Sequence, residues 1–225
     1  MSRILDQDGE NVPELRDWKP WFAAYDDPTS PLAKRLTVVR QGIRRALDEA
    51  PSGPIRILYL CAGEGRDLIP VLADHPRRDD VRARLIEFDP VIARTAREAA
   101  EAAGLGDAVN VIAGDAADPA HFGDYAPADL LLLCGIFGNI SDADIRTTAG
   151  RAASLTALGG TTIWTRHRHE PNLIPDIHEW FATAGFARLW ESDPELPTSI
   201  YVAGYRQERE PAPSATNEKL FSFIR

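Results

Sequence analysis

Two glycines and two acids carry most of the chemistry legible in this chain. Gly63 and Gly65 lie in Cys61-Ala62-Gly63-Glu64-Gly65-Arg66-Asp67-Leu68, directly after the apolar run Ile55-Arg56-Ile57-Leu58-Tyr59-Leu60. An apolar run that empties through glycines into a helical pattern reads as strand, turn, helix. Glycine there permits positive φ and close approach of another molecule to the backbone, and the N–H groups opening the helix attract polar or anionic groups. Val81 to Phe88 is a second strand-like run, ending in Glu87-Phe88-Asp89-Pro90. A carboxylate at that distance beyond the glycines can accept hydrogen bonds from ribose hydroxyls. Val109 to Ala113 then ends in Gly114-Asp115-Ala116, and Asp129 to Cys134 ends in Gly135-Ile136-Phe137-Gly138-Asn139. For proton transfer the candidates follow strand ends or lie near the N-terminus: His167 and His169, Asn139 and Asp142, Tyr25 and Asp26. His167 is the choice for a general base because imidazole titrates near neutral pH; the bland alternative is an ordinary loop histidine. No His-Glu-x-x-His, paired Cys-x-x-Cys or EF-hand acidic spacing occurs, so no metal is expected.

The elements that must position these groups alternate strand with helix, which demands a parallel sheet covered on both faces. In such sheets the ligand crevice lies outside the carboxyl ends of the strands, so four strand ends rich in glycine and acid converge on one place. Helices are predicted near Pro31 to Glu49, Arg66 to Asp74, Pro90 to Ala103, Ser141 to Ala157 and Asn172 to Ala184. Pro90 suits a first helical turn, and Ser141 opens Ser-Asp-Ala-Asp, with acids favoured at a helix N-terminus.

From Pro54 to Arg206 these motifs resemble the class I S-adenosylmethionine-dependent methyltransferases. Leu158-Gly159-Gly160-Thr161-Thr162-Ile163-Trp164 looks like that family's glycine pair leading into a fifth strand, and Ala184-Gly185-Phe186 like its exit from the last helix. The resemblance implies an α/β fold of three layers, Rossmann-like, with a mostly parallel seven-stranded sheet whose last strand is antiparallel. It implies S-adenosylmethionine as cofactor, its methionine part at Ala62, Gly63 and Gly65, its ribose at Glu87 rather than Asp89, and its adenine amine at Asp115. With their neighbours the implied cofactor contacts are Cys61, Ala62, Gly63, Glu64, Gly65, Arg66, Glu87, Phe88, Gly114, Asp115, Ala116, Cys134 and Gly135. Two positions depart from the pattern: the family commonly has an acid at Tyr59 and a further glycine at Cys61. Arg66 or Arg40 is the candidate to compensate. The rival cofactor is a nicotinamide or flavin dinucleotide, whose fingerprint wants a third glycine where this chain has Leu68.

At 225 residues and 44% hydrophobic content, the chain can bury a substantial core and fits one globular unit. The organisation expected is an N-terminal helical lid or extension (1–53), a cofactor-binding methyltransferase domain (54–208) and a C-terminal tail (209–225). Trp18, Trp21, Phe22 and Tyr25 either cover a sheet edge or form a lid over the reacting centre. Leu220-Phe221-Ser222-Phe223-Ile224 is apolar enough to dock on the body or to contact another subunit, so a homodimer stays open. Cys61 and Cys134 read as two inert buried thiols or, alternatively, as an oxidation-sensitive pair near the cofactor. The polar first residues to Asp17 lack the apolar stretch of a signal peptide and no run reaches the length of a membrane span, so a cytoplasmic protein is expected. Lys and Arg number 25 against 34 acids, a net charge of −9, which opposes general affinity for nucleic acid. Arg166-His167-Arg168-His169 is the one candidate basic patch. The function expected is methyl transfer to a small organic acceptor, oxygen ahead of nitrogen or carbon. The alternatives are cofactor binding without transfer, and RNA methylation.

Overall fold

The computed structural model describes residues 24–211 and 218–224. Trp18, Trp21 and Phe22, the rest of the aromatic segment singled out above, lie outside the described residues. The first helix, α1 (Pro31–Glu49), starts where Ser30 Oγ accepts from Ala33 N at 3.0 Å and Pro31 enters the first turn with its φ already set. Next come β1 (Ile55–Leu60), α2 (Ile69–Asp74), β2 (Val81–Glu87), α3 (Pro90–Ala102), β3 (Val109–Ala113) and β4 (Ala128–Leu133). The chain continues with α4 (Asp142–Leu155), β5 (Thr156–Arg166), α5 (Ile174–Thr183), β6 (Phe186–Glu191) and β7 (Tyr201–Gln207).

The seven strands form one sheet in the order β3-β2-β1-β4-β5-β7-β6. β1 to β5 pair in parallel, and β7 runs antiparallel to both β5 and β6. The expected Rossmann-like sheet with its antiparallel last strand is therefore the one observed. Central strands are buried on both faces, which is why β1 and β4 read as near-continuous apolar runs. Alternation divides them between two cores: Leu58, Leu60, Leu131, Leu133 and Trp164 face α4 and α5, while Ile57, Tyr59, Leu130, Leu132 and Ile163 face α1, α2 and α3.

Both segments outside the alternating core pack on it. α1 lies over β5 and β7, with Val39, Ile43 and Leu47 fully buried. Its Gly42 leaves room for Trp190, whose ring a Cβ would approach to 2.3 Å. The tail lays Leu220 and Phe221 into the core beneath α4, with Leu220 N donating to Ala117 O at 2.9 Å and Ile224 N to Asn139 O at 3.0 Å. No helix among the described residues is long and apolar enough to cross a membrane.

Two boundaries differ from the sequence reading by three residues or more. The helix expected from Arg66 starts only at Ile69, because Gly65 is left-handed (φ 71°) and its carbonyl accepts from both Leu68 N and Ile69 N, closing a turn first. β5 starts at Thr156, five residues before Thr161, and carries an irregularity opposite Ala128–Leu130 through which Gly159 passes at φ 76°.

Candidate functional site

Strand order reverses between β1 and β4, since β1 leads outward to β2 and β3 while β4 leads to β5. Such a switch point opens a crevice above the carboxyl ends of the two strands. The glycine turn occupies that place, with Gly63 at φ 57° and Gly65 at φ 71°. A side chain on Gly65 would meet Ile69 Cδ1 at 2.5 Å, so helix and strand approach as closely as they do only because glycine is there. Cys61, where the resemblance led one to expect glycine, keeps the left-handed backbone a glycine would have (φ 57°). Holding a side chain in that region costs about 1–2 kcal/mol.

Glu87 reaches this turn from the end of β2. Its Oε2 accepts from Gly63 N at 2.9 Å and its Oε1 from Asp89 N at 3.0 Å. Burial holds its carboxyl above the usual glutamate range, against the backbone N–H groups that pull it down. Asp89 faces away from this role: its Oδ1 caps α3, accepting from Val91 N at 2.8 Å. Beside Glu87, Phe88 stands 57% exposed.

Asp115 follows β3, its Oδ1 accepting from Ala117 N at 2.9 Å and its Oδ2 paired with Lys219 of the tail at 2.8 Å. Gly114 N donates to Glu87 O at 2.9 Å, which ties this loop to the end of β2. A Cβ on Gly114 would strike the His121 ring at 2.7 Å. Ala116 is buried in the α4 core. Past β4, Cys134 is buried and Gly135 turns at φ 79°, its N–H donating to Thr165 Oγ1 at 2.8 Å. Asn139 Nδ2 returns to Gly135 O at 2.8 Å and closes that loop on itself.

His167 lies directly after β5 against the same loop: a side chain on Gly138 would come 3.7 Å from His167 Cδ2. Its ring centroid is 5.1 Å from that of His169. The flanking arginines do not make a phosphate-binding patch. Arg166 donates to Phe137 O, and Arg168 to the carbonyls of Pro194, Leu196 and Asp193 at 3.0–3.2 Å while stacking over Tyr201.

The N-terminal segment meets the glycine turn through Arg66, whose guanidinium pairs with Asp26 at 2.9 Å and with Glu64, and lies over the Tyr25 ring. Arg40 of α1 donates to Arg66 O at 2.8 and 3.0 Å. Both arginines named above as candidates to compensate for the missing acid are thus engaged with protein groups. Sequence reasoning missed a buried cluster beneath the turn: Tyr59 donates to Asp67 Oδ2, and Tyr25 lies at hydrogen-bond distance from Arg35. Burial pushes the Tyr25, Tyr59 and Cys134 protons up, and Asp67 is raised by burial against the pull of Arg35. Burial likewise pushes the Cys61 thiol well up, so neither cysteine is a reactive thiolate.

A cleft of about 740 Å³ opens between α1 and the β6–β7 connection, bordered by Lys34, Arg40, Trp190 and Asp193. Glu87, Asp115 and His167 do not line it. Among the described residues no group of three or more His, Cys, Asp or Glu could hold a metal ion.

Strand order, switch-point glycines and the acid at the end of β2 together define the methyltransferase class with a Rossmann-like sheet. A family model described as "Putative methyltransferase" matches residues 33–177, and the chain belongs to that family. S-adenosylmethionine is the cofactor of the class. Compared by sequence with curated proteins, the chain matches none. Solved structures share the fold. An O-methyltransferase family protein from Burkholderia thailandensis is 20% identical at a TM-score of 0.59, with 91% of this chain and 65% of that one covered. Magnesium protoporphyrin IX methyltransferase from Synechocystis, solved with bound S-adenosylmethionine, is 12% identical at 0.65, with 86% and 92% covered. An RNA methyltransferase from Salinibacter ruber, in complex with S-adenosylhomocysteine, is 19% identical at 0.50, with 80% and 97% covered. The chain spans a little under two thirds of the Burkholderia protein's length.

Proposed function

We propose that this protein transfers the methyl group of S-adenosylmethionine to a small organic acceptor, with oxygen as the accepting atom. The observation that carries the donor reading is the bond from Gly63 N to Glu87 Oε2, which sets a carboxylate on the rim of the glycine turn at the switch point. There Glu87 accepts from the ribose hydroxyls, Phe88 and the Gly114–Ala116 loop border the base, Asp115 accepts from its amine, and Cys61 to Arg66 cradle the methionine part. Cys134 and Gly135 floor the crevice beneath. Leu68 at the position of a third glycine disfavours a dinucleotide.

When bound, the sulfonium supplies an electrophilic methyl carbon. What the protein contributes is alignment, holding the acceptor atom about 3–3.5 Å from that carbon and in line with the departing sulfur. His167, directly after β5 and against the loop that follows β4, would take the acceptor's hydroxyl proton as the methyl group is transferred. The acceptor reading favours a small molecule over RNA because Arg166 and Arg168 are engaged with backbone carbonyls and the net charge is −9.

The test is conversion of S-adenosylmethionine to S-adenosylhomocysteine with a panel of hydroxylated, aminated and carbon-nucleophile acceptors, read by mass spectrometry. Turnover confined to hydroxylated compounds supports the reading. Turnover on none of them, despite donor binding, favours a sensor or a fold reused for other chemistry.

A further inference from the structure

The chain has tyrosine at position 59 where the resemblance leads one to expect an acid, yet that tyrosine is hydrogen-bonded to a carboxylate. Asp67 is 6% exposed, and Tyr59 donates to its Oδ2. The other oxygen, Oδ1, is buried, and no described residue donates to it. Buried carboxylate oxygens are costly to leave without a donor, so such an atom marks a place where a partner belongs. Arg35 and Arg40 act on Asp67 through their charge, while Arg35 donates to the Tyr25 hydroxyl and Arg40 to Arg66 O. Asp67 directly follows the turn that contains Gly63 and Gly65, at the switch point, with Cys134 at the end of β4 close enough to feel its charge.

We propose that Asp67, held by Tyr59, is the counter-charge for the α-ammonium of the donor's methionine part, its Oδ1 accepting that group's N–H. The acid expected on β1 has moved eight residues along the chain to the far side of the turn, and Tyr59 spans the gap that the move leaves. The phenol donates to Oδ2, which leaves Oδ1 as the oxygen still lacking a donor. This inference rests on the donor reading above and deepens it, because the ligand must carry a primary ammonium and not merely an adenosine. Asp67 acts here by binding and positioning, and takes no part in the displacement itself.

The experiment compares the wild-type chain with Asp67→Asn in calorimetric titrations of three ligands. S-adenosylhomocysteine has both ammonium and carboxylate, decarboxylated S-adenosylmethionine keeps an amine alone, and 5′-methylthioadenosine has neither. A lost charge-assisted hydrogen bond weakens binding roughly 10- to 100-fold. That loss is expected for the first two ligands in Asp67→Asn, with 5′-methylthioadenosine unchanged, which also shows the variant to be folded. Tyr59→Phe should weaken the first two by a smaller factor. Equal loss for all three ligands makes Asp67 a purely structural residue and overturns the proposal, as does no loss for any. Loss for S-adenosylhomocysteine with the decarboxylated ligand unaffected overturns it in favour of a carboxylate contact. Should the wild type bind none of the three, the donor reading itself fails and takes this inference with it.

Discussion

Replacing Glu87 by glutamine tests the ribose contact with a change of two atoms. Each carboxylate oxygen accepts from a backbone N–H, Gly63 at 2.9 Å and Asp89 at 3.0 Å. An amide offers one acceptor and one donor, so in either orientation one of these N–H groups loses its partner and faces another N–H₂. One charge-assisted hydrogen bond lost is worth about 1.5–3 kcal/mol. Part of that is regained because burial already disfavours the ionised carboxyl, so a net loss of about 1–2 kcal/mol is expected. In a chain of this size each kcal/mol lowers the melting temperature by roughly 2–4 °C, giving a drop of roughly 2–8 °C by thermal denaturation. Donor affinity should fall further, about 10- to 100-fold, since the ribose hydroxyls lose an ionised acceptor as well. The pH dependence carries the sign. The folded carboxyl titrates above its unfolded value, so between those two values the folded state holds more protons and wild-type stability falls as pH rises. Donor binding needs the ionised form, so wild-type affinity weakens as pH drops through that raised value while Glu87→Gln stays flat. A variant that binds the donor as tightly as wild type, with the same pH profile, refutes the placement of ribose at Glu87.

Four further outcomes follow from the geometry. Cys61→Gly should cost less stability than Cys61→Ala in chemical denaturation, because only glycine relieves the left-handed backbone, worth about 1–2 kcal/mol; the reverse order sinks the strain argument. Neither Cys61 nor Cys134 should react with a thiol reagent in the folded protein near neutral pH, and fast labelling of either would contradict their burial-raised thiols. Replacing His167 by alanine should leave donor affinity intact and slow turnover by about 10²- to 10⁴-fold; an unchanged turnover removes it from proton transfer. Lys219→Met frees Asp115 Oδ2, so affinity for adenosyl ligands should rise by up to about fivefold, the scale of a surface ion pair, and a fall in calorimetry would show that the tail lysine helps rather than competes.

How far the sequence alone reaches is clearest from individual residues. The helix expected from Pro31 is α1, and the apolar runs marked β1 and β3 at their observed bounds, because a proline in a first turn and buried apolar runs are local signals. The mostly parallel sheet with its antiparallel last strand followed from the family resemblance, and the gathering of Gly63, Gly65, Glu87, Asp115 and Gly135 at one edge from the rule that ligands lie at the carboxyl ends of parallel strands. The start of α2 was misread because the Gly65 turn uses N–H groups that a propensity pattern assigns to a helix. What was invisible depends on contacts made across the chain. Asp67 looks like any acid near a helix start until Tyr59 is seen to reach it. Lys219 lies 104 positions from Asp115 in the numbering, and no pattern links them. Arg168 looked like part of a basic patch, and only the fold reveals the carbonyls of the β6–β7 connection around it.

The central claim, that the edge above β1 and β4 holds an adenosyl sulfonium, is tested most directly by equilibrium dialysis of the full chain against methyl-labelled S-adenosylmethionine. Saturable retention of one label per chain, displaced by S-adenosylhomocysteine and untouched by nicotinamide dinucleotides, is the predicted result. Retention that never saturates, or that a nicotinamide dinucleotide displaces, would contradict it.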